Sequence, residues 1–222
     1  MAGMKRLYHF NDSAYGLQNL ERQRLKVATI MELNDPFELL AHNSQDKTIR
    51  AALKSFKQEA HDRFGFLCFS RSWKSPVQWG HYADKHRGIC IGFDVPEDDV
   101  YPVQYCNYRL GFDPAQVLTE DQRYRWSLGL LTTKHEHWGY EQEERLITAL
   151  DLLPKEKGLH FVGFDQIGII VREVIVGCNS NVSRAELRKA LGDHAGRVSI
   201  FKSRPSFGQF EMVRNRNEGL WR

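Results

Sequence analysis

Apolar residues recur at two different spacings along this chain, and each spacing predicts a different kind of element. Between residues 48 and 63, Ile49, Leu53, Phe56 and Ala60 recur every three to four positions. This period matches one face of an α-helix, so the segment predicts an amphipathic helix. Periodicity and end signals predict further helices at residues 14–23, 76–86, 121–134 and 183–191.

Continuous apolar runs bounded by turn residues predict buried strands at residues 65–70 and 88–95. Other extended segments are expected at residues 7–10, 24–28, 100–108, 144–149, 167–176, 198–202 and 207–213. Helices and strands do not alternate regularly in this order, which predicts an α+β fold. No glycine-rich phosphate loop follows any of these strands, so a doubly wound nucleotide-binding fold is not expected.

The densest group of charges lies in residues 138–147, Trp-Gly-Tyr-Glu-Gln-Glu-Glu-Arg-Leu-Ile. In an extended chain alternate side chains share a face, so Glu141, Glu143 and Arg145 would lie together. Acids are depleted in strands, and carboxylates gathered on one face of a strand predict a binding or catalytic site. The alternative is a helix N-terminus, where acids favour the positive end of the helix dipole.

A second polar group surrounds a proline at residues 34–38, Asn-Asp-Pro-Phe-Glu. Asn34, Asp35 and Glu38 predict either a ligand-contacting loop or a turn in which Asn and Asp bond their own backbone. The oxygens of Asp35 and Glu38 would suit a divalent cation, but no third ligand is identifiable, so no metal site is predicted.

A third group lies in residues 70–82, between two predicted buried strands, and carries two Trp, one Tyr, three Ser, one Arg and one Lys. Aromatic rings beside hydroxyls suit a planar ligand with an amide group. Ser70, Ser75, Trp79 and Tyr82 are the candidate contacts. The alternative is a helix that packs Trp79 and Tyr82 on the core, since they are three residues apart.

The composition is that of a globular protein: 222 residues, 41% hydrophobic and 27% charged. One domain is expected over residues 1–222, with a core at about 5–213 and a basic tail at 214–222. A net charge of +3 is too small to indicate nucleic-acid binding by itself. The four cysteines form no Cys-x-x-Cys pair, and no apolar run approaches the about 18 residues of a membrane span. A cytoplasmic protein with no membrane partner is therefore expected.

Four segments of the chain occur in a combination that is similar to a known family. They are Leu7-Tyr8-His9-Phe10, Asn34-Asp35-Pro36-Phe37-Glu38, the stretch from Phe69-Ser70 through Trp79-Gly80-His81-Tyr82 to Phe93, and residues 138–145. With them the chain resembles a family of bacterial proteins classed as a domain of unknown function. The resemblance covers roughly residues 5–213 and implies no established activity.

More distantly, the order of elements resembles the ADP-ribosyltransferase fold of the diphtheria-toxin and poly-ADP-ribose-polymerase type, which has a split, mostly antiparallel sheet. In that fold a His on the first strand bonds the NAD ribose, a Tyr stacks on nicotinamide and a Glu on a later strand supports cleavage. The resemblance gives the first role to His9 and the second to Tyr82 or Trp79. Glu143 best suits the third role, with Glu141 close behind. The remaining candidates for the site are Tyr8, Asn34, Asp35, Glu38, Ser70, Ser75 and Arg145.

The resemblance thus implies an enzyme that cleaves NAD and transfers ADP-ribose to a protein or nucleic acid, in phage defence or a toxin system. Two other functions stay open at this point. A metal-dependent nuclease or phosphoryl hydrolase would use Asp35, Glu38, Glu141 and Glu143 around divalent cations. A non-catalytic binding module would instead present a basic face built from Arg204, Arg214 and Arg216.

Overall fold

The computed structural model describes residues 3–41, 46–111, 118–217, 219 and 221. Its helices are α1 (Ser13–Arg22), α2 (Lys47–Arg63), α3 (Pro76–Tyr82), α4 (Glu120–Leu131) and α5 (Arg184–Leu191). Its strands are β1 (Met4–Asn11), β2 (Arg24–Thr29), β3 (Phe64–Ser70), β4 (Ile89–Pro96), β5 (Val100–Pro102), β6 (Gln104–Cys106), β7 (Thr133–His135), β8 (Glu143–Ala149), β9 (Lys155–Glu156), β10 (Leu159–Gly163), β11 (Ile170–Val176), β12 (Ser199–Pro205) and β13 (Met212–Arg214). Together they form a single α+β domain, as predicted.

Eleven of the described strands form one large mixed sheet. The order is β13-β12-β11-β4-β1-β3-β2-β10-β9, with β8 paired to β3 and β5 paired to β8. Within this sheet β11 and β12 run parallel, whereas the pairs around β1, β3 and β8 are antiparallel. β6 and β7 form a separate parallel pair. The prediction of a mostly antiparallel sheet is therefore correct.

The sheet splits along one edge of β3. The other edge of β3 pairs with β8 over its whole length, from Phe64↔Ala149 to Ser70↔Glu143. β1 and β2 must share the remaining edge, where β2 pairs only at Gly65 and Phe66 and β1 only at Ser70. Residues 67–69 have no strand partner there among the described residues, so β1 and β2 diverge and leave a gap.

β4 lies in the middle of the sheet and is buried on both faces. Its alternation places Ile91 in the main core cluster, with Leu20 of α1 and Leu187 of α5, whereas Cys90 faces a second cluster around Trp79 of α3. This is why β4 has a nearly continuous apolar sequence rather than an alternating one. A third cluster joins α2 and α4 to Phe66.

Short polar side chains begin the helices by accepting hydrogen bonds from free backbone N–H groups. These capping residues are Asp12, Asp46, Ser75, Thr119 and Ser183. The capping box predicted between Ser183 and Glu186 is present. The caps explain why the starts of the predicted helices agree well with the structure.

Several element boundaries differ from the prediction. The helix expected at 121–134 ends at Leu131, and residues 133–135 are a strand. The helix expected at 76–86 ends at Tyr82, because residues 84–86 adopt left-handed backbone angles with φ of 43°, 53° and 68°. The strand expected at 207–213 is a loop as far as residue 211. The extended stretch expected at 100–108 divides into β5 and β6, which belong to different sheets.

The C-terminal segment is not simply a solvated tail. Trp221 is 6% exposed within the main core cluster, and its Nε1 donates to the carbonyl of Val182 at 2.7 Å. Residues 218, 220 and 222 of the predicted tail lie outside the described residues. Over the described residues, no helix has both the length and the apolar character required to span a membrane.

Candidate functional site

The gap between β1 and β2, along residues 67–69 of β3, opens into a cavity of about 170 Å³. Seven of the residues predicted for the site line it: Tyr8, His9, Asn34, Ser70, Tyr82, Glu141 and Glu143. The other five predicted residues are not among the lining residues: Asp35, Glu38, Ser75, Trp79 and Arg145. The cavity thus brings together side chains from the first strand, from β3, from α3 and from the entry to β8.

His9 fills the place where a strand neighbour of β3 would otherwise be. Its Nδ1 lies 2.9 Å from the carbonyl oxygen of Cys68. Because a carbonyl only accepts, Nδ1 carries the proton, and Nε2 of the neutral ring is left as an acceptor. Burial lowers the pKa of His9, although the bond to Cys68 opposes this. The ring is therefore neutral at pH 7 and available for a hydroxyl donor.

Tyr8 lies beside His9 on β1 and faces Gly92 of β4. A Cβ at Gly92 would lie 3.1 Å from the ring of Tyr8, so the glycine leaves room for that ring. Burial, followed by the charge of Glu173, raises the pKa of Tyr8 to about 12. Tyr8 therefore contributes a neutral phenol to the wall of the cavity.

α3 separates the two aromatic candidates. Trp79 is fully buried, packs edge-on against Phe10 at 5.3 Å and donates its Nε1 to the carbonyl of Trp73 at 2.6 Å. Trp79 thus packs in the core, and the interpretation of its ring as one that stacks on a ligand is not supported. Tyr82 lines the cavity, and its hydroxyl donates to Oε1 of Glu141.

The two serine candidates also differ in where they lie and what they bind. Ser70 is buried at the end of β3, where its Oγ donates to the carbonyl of Ser72 at 2.9 Å and lies 3.0 Å from Nε2 of Gln78. Gln78 in turn donates to the carbonyl of Glu141 at 2.7 Å and fixes that residue against α3. Ser75 is the N-cap of α3, so its hydroxyl accepts from the backbone of Gln78 and not from a ligand.

The alternation predicted that the acidic segment is extended throughout, and this is not what the structure has. Residues Glu136–Glu141 form a 3-10 helix, and Gln142 adopts a left-handed backbone with φ of 46°. β8 begins only at Glu143. Glu141 therefore reaches the cavity from a helical turn and Glu143 from a strand, and the left-handed residue between them lets both carboxylates point to one place.

Lys134 of β7 joins these two carboxylates. Its Nζ lies 2.8 Å from Oε2 of Glu141, 2.8 Å from Oε2 of Glu143 and 3.6 Å from Oε1 of Glu38. The lysine side chain is only 6% exposed. Burial disfavours its ammonium, but Glu143 and the other two acids outweigh burial and raise the pKa of Lys134. Lys134 is thus a permanent cation at the bottom of the cavity.

Arg145 forms the interior part of the same group of charges. Its side chain is 0% exposed, and its guanidinium donates to both oxygens of Glu38 at 2.6 and 2.9 Å. It also donates from Nε to Oε1 of Glu143 at 2.7 Å. Bidentate pairing of this kind is the strongest form of ion pair. Arg145 and Glu38 therefore hold the site together from behind and do not face the cavity.

We name this group, Glu38, Lys134, Glu141, Glu143 and Arg145, the buried charge network. It holds three carboxylates and two cations, so one negative charge is in excess. Burial opposes ionisation of Glu143, but Arg145 and Lys134 outweigh it and lower the pKa to about 2. Burial raises the pKa of Glu141 despite Lys134. Of the two carboxylates at the cavity, Glu141 is therefore the one that the cations of the network compensate less.

The loop at residues 34–38 contributes less than its sequence predicted. Asn34 reaches the cavity and lies 3.4 Å from the hydroxyl of Tyr82. Asp35 is buried and accepts from the backbone N–H of Phe37 at 2.9 Å, which is the structural turn that was the alternative interpretation. No group of three or more His, Cys, Asp and Glu among residues 3–41, 46–111 and 118–217 is arranged to hold a metal ion.

Lys134, Gln78 and Tyr105 are part of the site but were not predicted. The hydroxyl of Tyr105 accepts from the backbone N–H of Glu143 at 2.8 Å and fixes the start of β8. A lysine in a polar stretch normally lies at the surface. Lys134 is buried where β7 pairs with β6 and where three carboxylates surround its ammonium. The pairing of β6 with β7 has no local sequence signal.

Comparisons of the chain with family models, with curated proteins and with solved structures give no significant match. The function of the site is therefore argued from its geometry.

Proposed function

We propose that this protein cleaves NAD at the cavity and transfers ADP-ribose to a macromolecule, as ADP-ribosyltransferases do. The observation that carries the proposal is that His9, Tyr82 and two carboxylates, far apart in sequence, line one cavity at the split of the sheet. In the proposed complex Nε2 of His9 accepts from a ribose hydroxyl, and the ring of Tyr82 lies against nicotinamide.

The excess negative charge of the buried charge network suits this reaction. The nicotinamide ring of NAD is cationic, and its departure moves the positive charge onto the ribose as an oxocarbenium-like centre. A fixed carboxylate in a site of low dielectric stabilises that developing charge without reorganisation. In the reaction the bond between C1′ and the ring nitrogen breaks, its electron pair leaves with nicotinamide, and the acceptor attacks C1′ and releases a proton.

We assign the carboxylate of that role to Glu141 rather than Glu143. Both oxygens of Glu143 are held by Arg145 and Lys134, so its charge is already neutralised. Glu141 is bound by Tyr82 and by the shared Lys134, and its raised pKa suits a group that takes the proton of the acceptor. Glu143 and Arg145 act as positioning residues behind it.

The size of the cavity limits how much of the substrate it holds. At about 170 Å³ it is smaller than the ~300 Å³ at which pockets for drug-sized ligands begin. We therefore place only nicotinamide and part of its ribose inside it, and the adenosine half of NAD at the rim.

The same carboxylates support a metal-dependent nuclease less well. The protein's own cations occupy the space between them, because Lys134 lies within 2.8 to 3.6 Å of Glu38, Glu141 and Glu143. Asp35, the fourth acid of that hypothesis, does not line the cavity, and its Oδ1 accepts from the backbone of its own turn.

The test is nicotinamide release from NAD by the full chain and by Glu141→Gln. We expect the variant to lose about 10²–10³-fold in turnover while keeping its fold, because it removes the charge at the reacting centre. Glu136→Gln is the matched control, since Glu136 is exposed in the same 3-10 helix and should leave turnover unchanged. Absence of NAD binding by the folded wild type at millimolar ligand would overturn the proposal.

A further inference from the structure

The loop between β12 and β13 presents two phenylalanines to solvent. Residues 206–211 read Ser-Phe-Gly-Gln-Phe-Glu, and Phe207 is 94% and Phe210 100% exposed. They are the most exposed of the large hydrophobic side chains among the described residues. Single exposed apolar residues are ordinary, but two fully exposed rings in one short loop indicate a surface that binds something.

The same hairpin, residues 199–217, concentrates positive charge. It carries four cations and one acid, so its net charge of +3 equals that of the whole chain. The cations are Lys202, Arg204, Arg214 and Arg216, and the acid is Glu211. Glu211 is itself paired with Lys74 at 3.3 Å. The hairpin is therefore a basic surface on a protein whose remaining charges balance.

We propose that this hairpin binds single-stranded nucleic acid. Exposed aromatic rings stack with unpaired bases, and flanking cations bind the phosphates between them. The guanidinium of Arg204 already lies over the ring of Phe207, 4.2 Å from its centroid. This contact argues against a membrane surface, because burying Phe207 in lipid would either break it or carry a charged arginine into hydrocarbon.

The hairpin contacts the segment that leads from the cavity wall to α3. The backbone N–H of Met212 donates to the carbonyl of Lys74 at 2.8 Å, and Trp73 packs edge-on against Phe201 of β12 at 5.5 Å. Both partners belong to the segment that runs from Ser70, in the cavity wall, to α3. The hairpin that would hold a nucleic-acid strand is therefore in contact with the segment that begins in the cavity wall.

This placement deepens the proposed function, because it names single-stranded nucleic acid as the acceptor class. The modification step rests on the proposed NAD cleavage, whereas binding to the hairpin does not. The two are therefore tested separately.

The experiment measures fluorescence anisotropy of a labelled 12-nucleotide single-stranded DNA with the full chain, without NAD, between 50 and 200 mM salt. We expect wild type to bind and the double variant Phe207→Ala/Phe210→Ala to bind at least ~10-fold more weakly, since each stacked base contributes about 1–3 kcal/mol. Arg204→Gln/Arg216→Gln should reduce the slope of log K against log salt by about 1.4, at ~0.7 per phosphate contact.

Tyr15→Ala is the control for loss of an exposed aromatic, since Tyr15 on α1 is 65% exposed. It should bind like wild type. Equal affinity of the phenylalanine double variant and wild type would overturn the inference, as would binding to phosphatidylserine vesicles without binding to the oligonucleotide. Nicotinamide release without oligonucleotide binding would overturn the inference about the hairpin and leave the proposed catalysis standing. Oligonucleotide binding without nicotinamide release would remove the proposed catalysis and leave the hairpin's role standing.

Discussion

The buried charge network has two halves that meet at Lys134. In the interior half, Arg145 binds Glu38 and Glu143 with four of its hydrogen bonds, and every charge has a close partner. In the cavity half, Glu141 has only the shared lysine and the neutral hydroxyl of Tyr82. The two glutamates are two residues apart in sequence, yet they differ in how far their charge is neutralised.

This difference teaches that the partners of a carboxylate, more than its place in a motif, decide its role. A neutralised carboxylate stabilises the fold and has little charge left to offer a substrate. An incompletely neutralised one costs stability and can act on a cationic centre. The following predictions test whether the two halves can be separated.

The largest effect is expected from breaking the interior half. Arg145→Leu would leave Glu38 and Glu143 buried without their main partner, and we expect the free energy of unfolding to fall by about 3–5 kcal/mol. Urea denaturation followed by circular dichroism measures it. The control is Arg63→Leu, which breaks an exposed pair with Glu59 and should cost only about 0.3–0.5 kcal/mol. Similar losses in both variants would contradict the division into halves.

A sharper comparison replaces each glutamate by its amide. Glu143→Gln should lower the free energy of unfolding by about 2–3 kcal/mol, because it removes charged hydrogen bonds to Arg145 and Lys134. Glu141→Gln should change it by no more than about 1 kcal/mol, because the fold already disfavours that charge. The same denaturation experiment at pH 7 compares them. A larger loss for Glu141→Gln would reverse the assignment of roles.

The smallest effect is a difference in pH dependence. The pKa of Glu143 falls from 4.5 to about 2 on folding, so its stabilisation is complete above pH 4.5 and is lost as the pH falls toward 2. The pKa of Glu141 is raised above 4.5 on folding, so its ionisation costs stability. This cost shrinks as the pH falls below the raised pKa and is gone below pH 4.5.

Denaturation of the two amide variants between pH 3 and pH 7 separates these contributions. Glu143→Gln should lose stability less steeply than wild type below pH 4.5. The slope of the free energy of unfolding against pH should differ between Glu141→Gln and wild type only above pH 4.5. Identical pH profiles for the two variants would show that the glutamates share one environment.

Much of the fold was predictable because its signals are local. Ser183 and Glu186 form a capping box that can be recognised in the sequence, and the apolar spacing around Leu53 gives the face of α2. The end of α4 was harder to place. The hydroxyls of Thr132 and Thr133 donate to the carbonyls of Leu128 and Gly129, and all four residues lie within the predicted helix. The chain nevertheless leaves the helix after Leu131 and enters β7.

The candidate site was predictable where several chemically suited residue types occur in the sequence. It was not predictable where contacts between distant segments determine which side chain lies at the cavity. The two glutamates were identified from the alternation of an extended chain, and Tyr82 was one of two aromatic candidates. His9 was identified through the resemblance in the order of elements. The choice between Tyr82 and Trp79 depends on which side of α3 meets the core, and a spacing of three residues does not determine it. The burial of Lys134 depends on contacts with distant parts of the chain, including its strand partner Tyr105 and the carboxylate of Glu38.

The split in the sheet also determines when, during synthesis of the chain, the parts of the cavity can come together. β1, β3 and α3 are made early in synthesis and supply one wall of the cavity. Lys134, Glu141 and Arg145 follow much later, and β8 pairs along the whole of β3 only after that. A nascent chain that ends before residue 133 therefore holds His9 and Tyr82 but no charge network. The cavity can therefore be complete only when synthesis has passed β8.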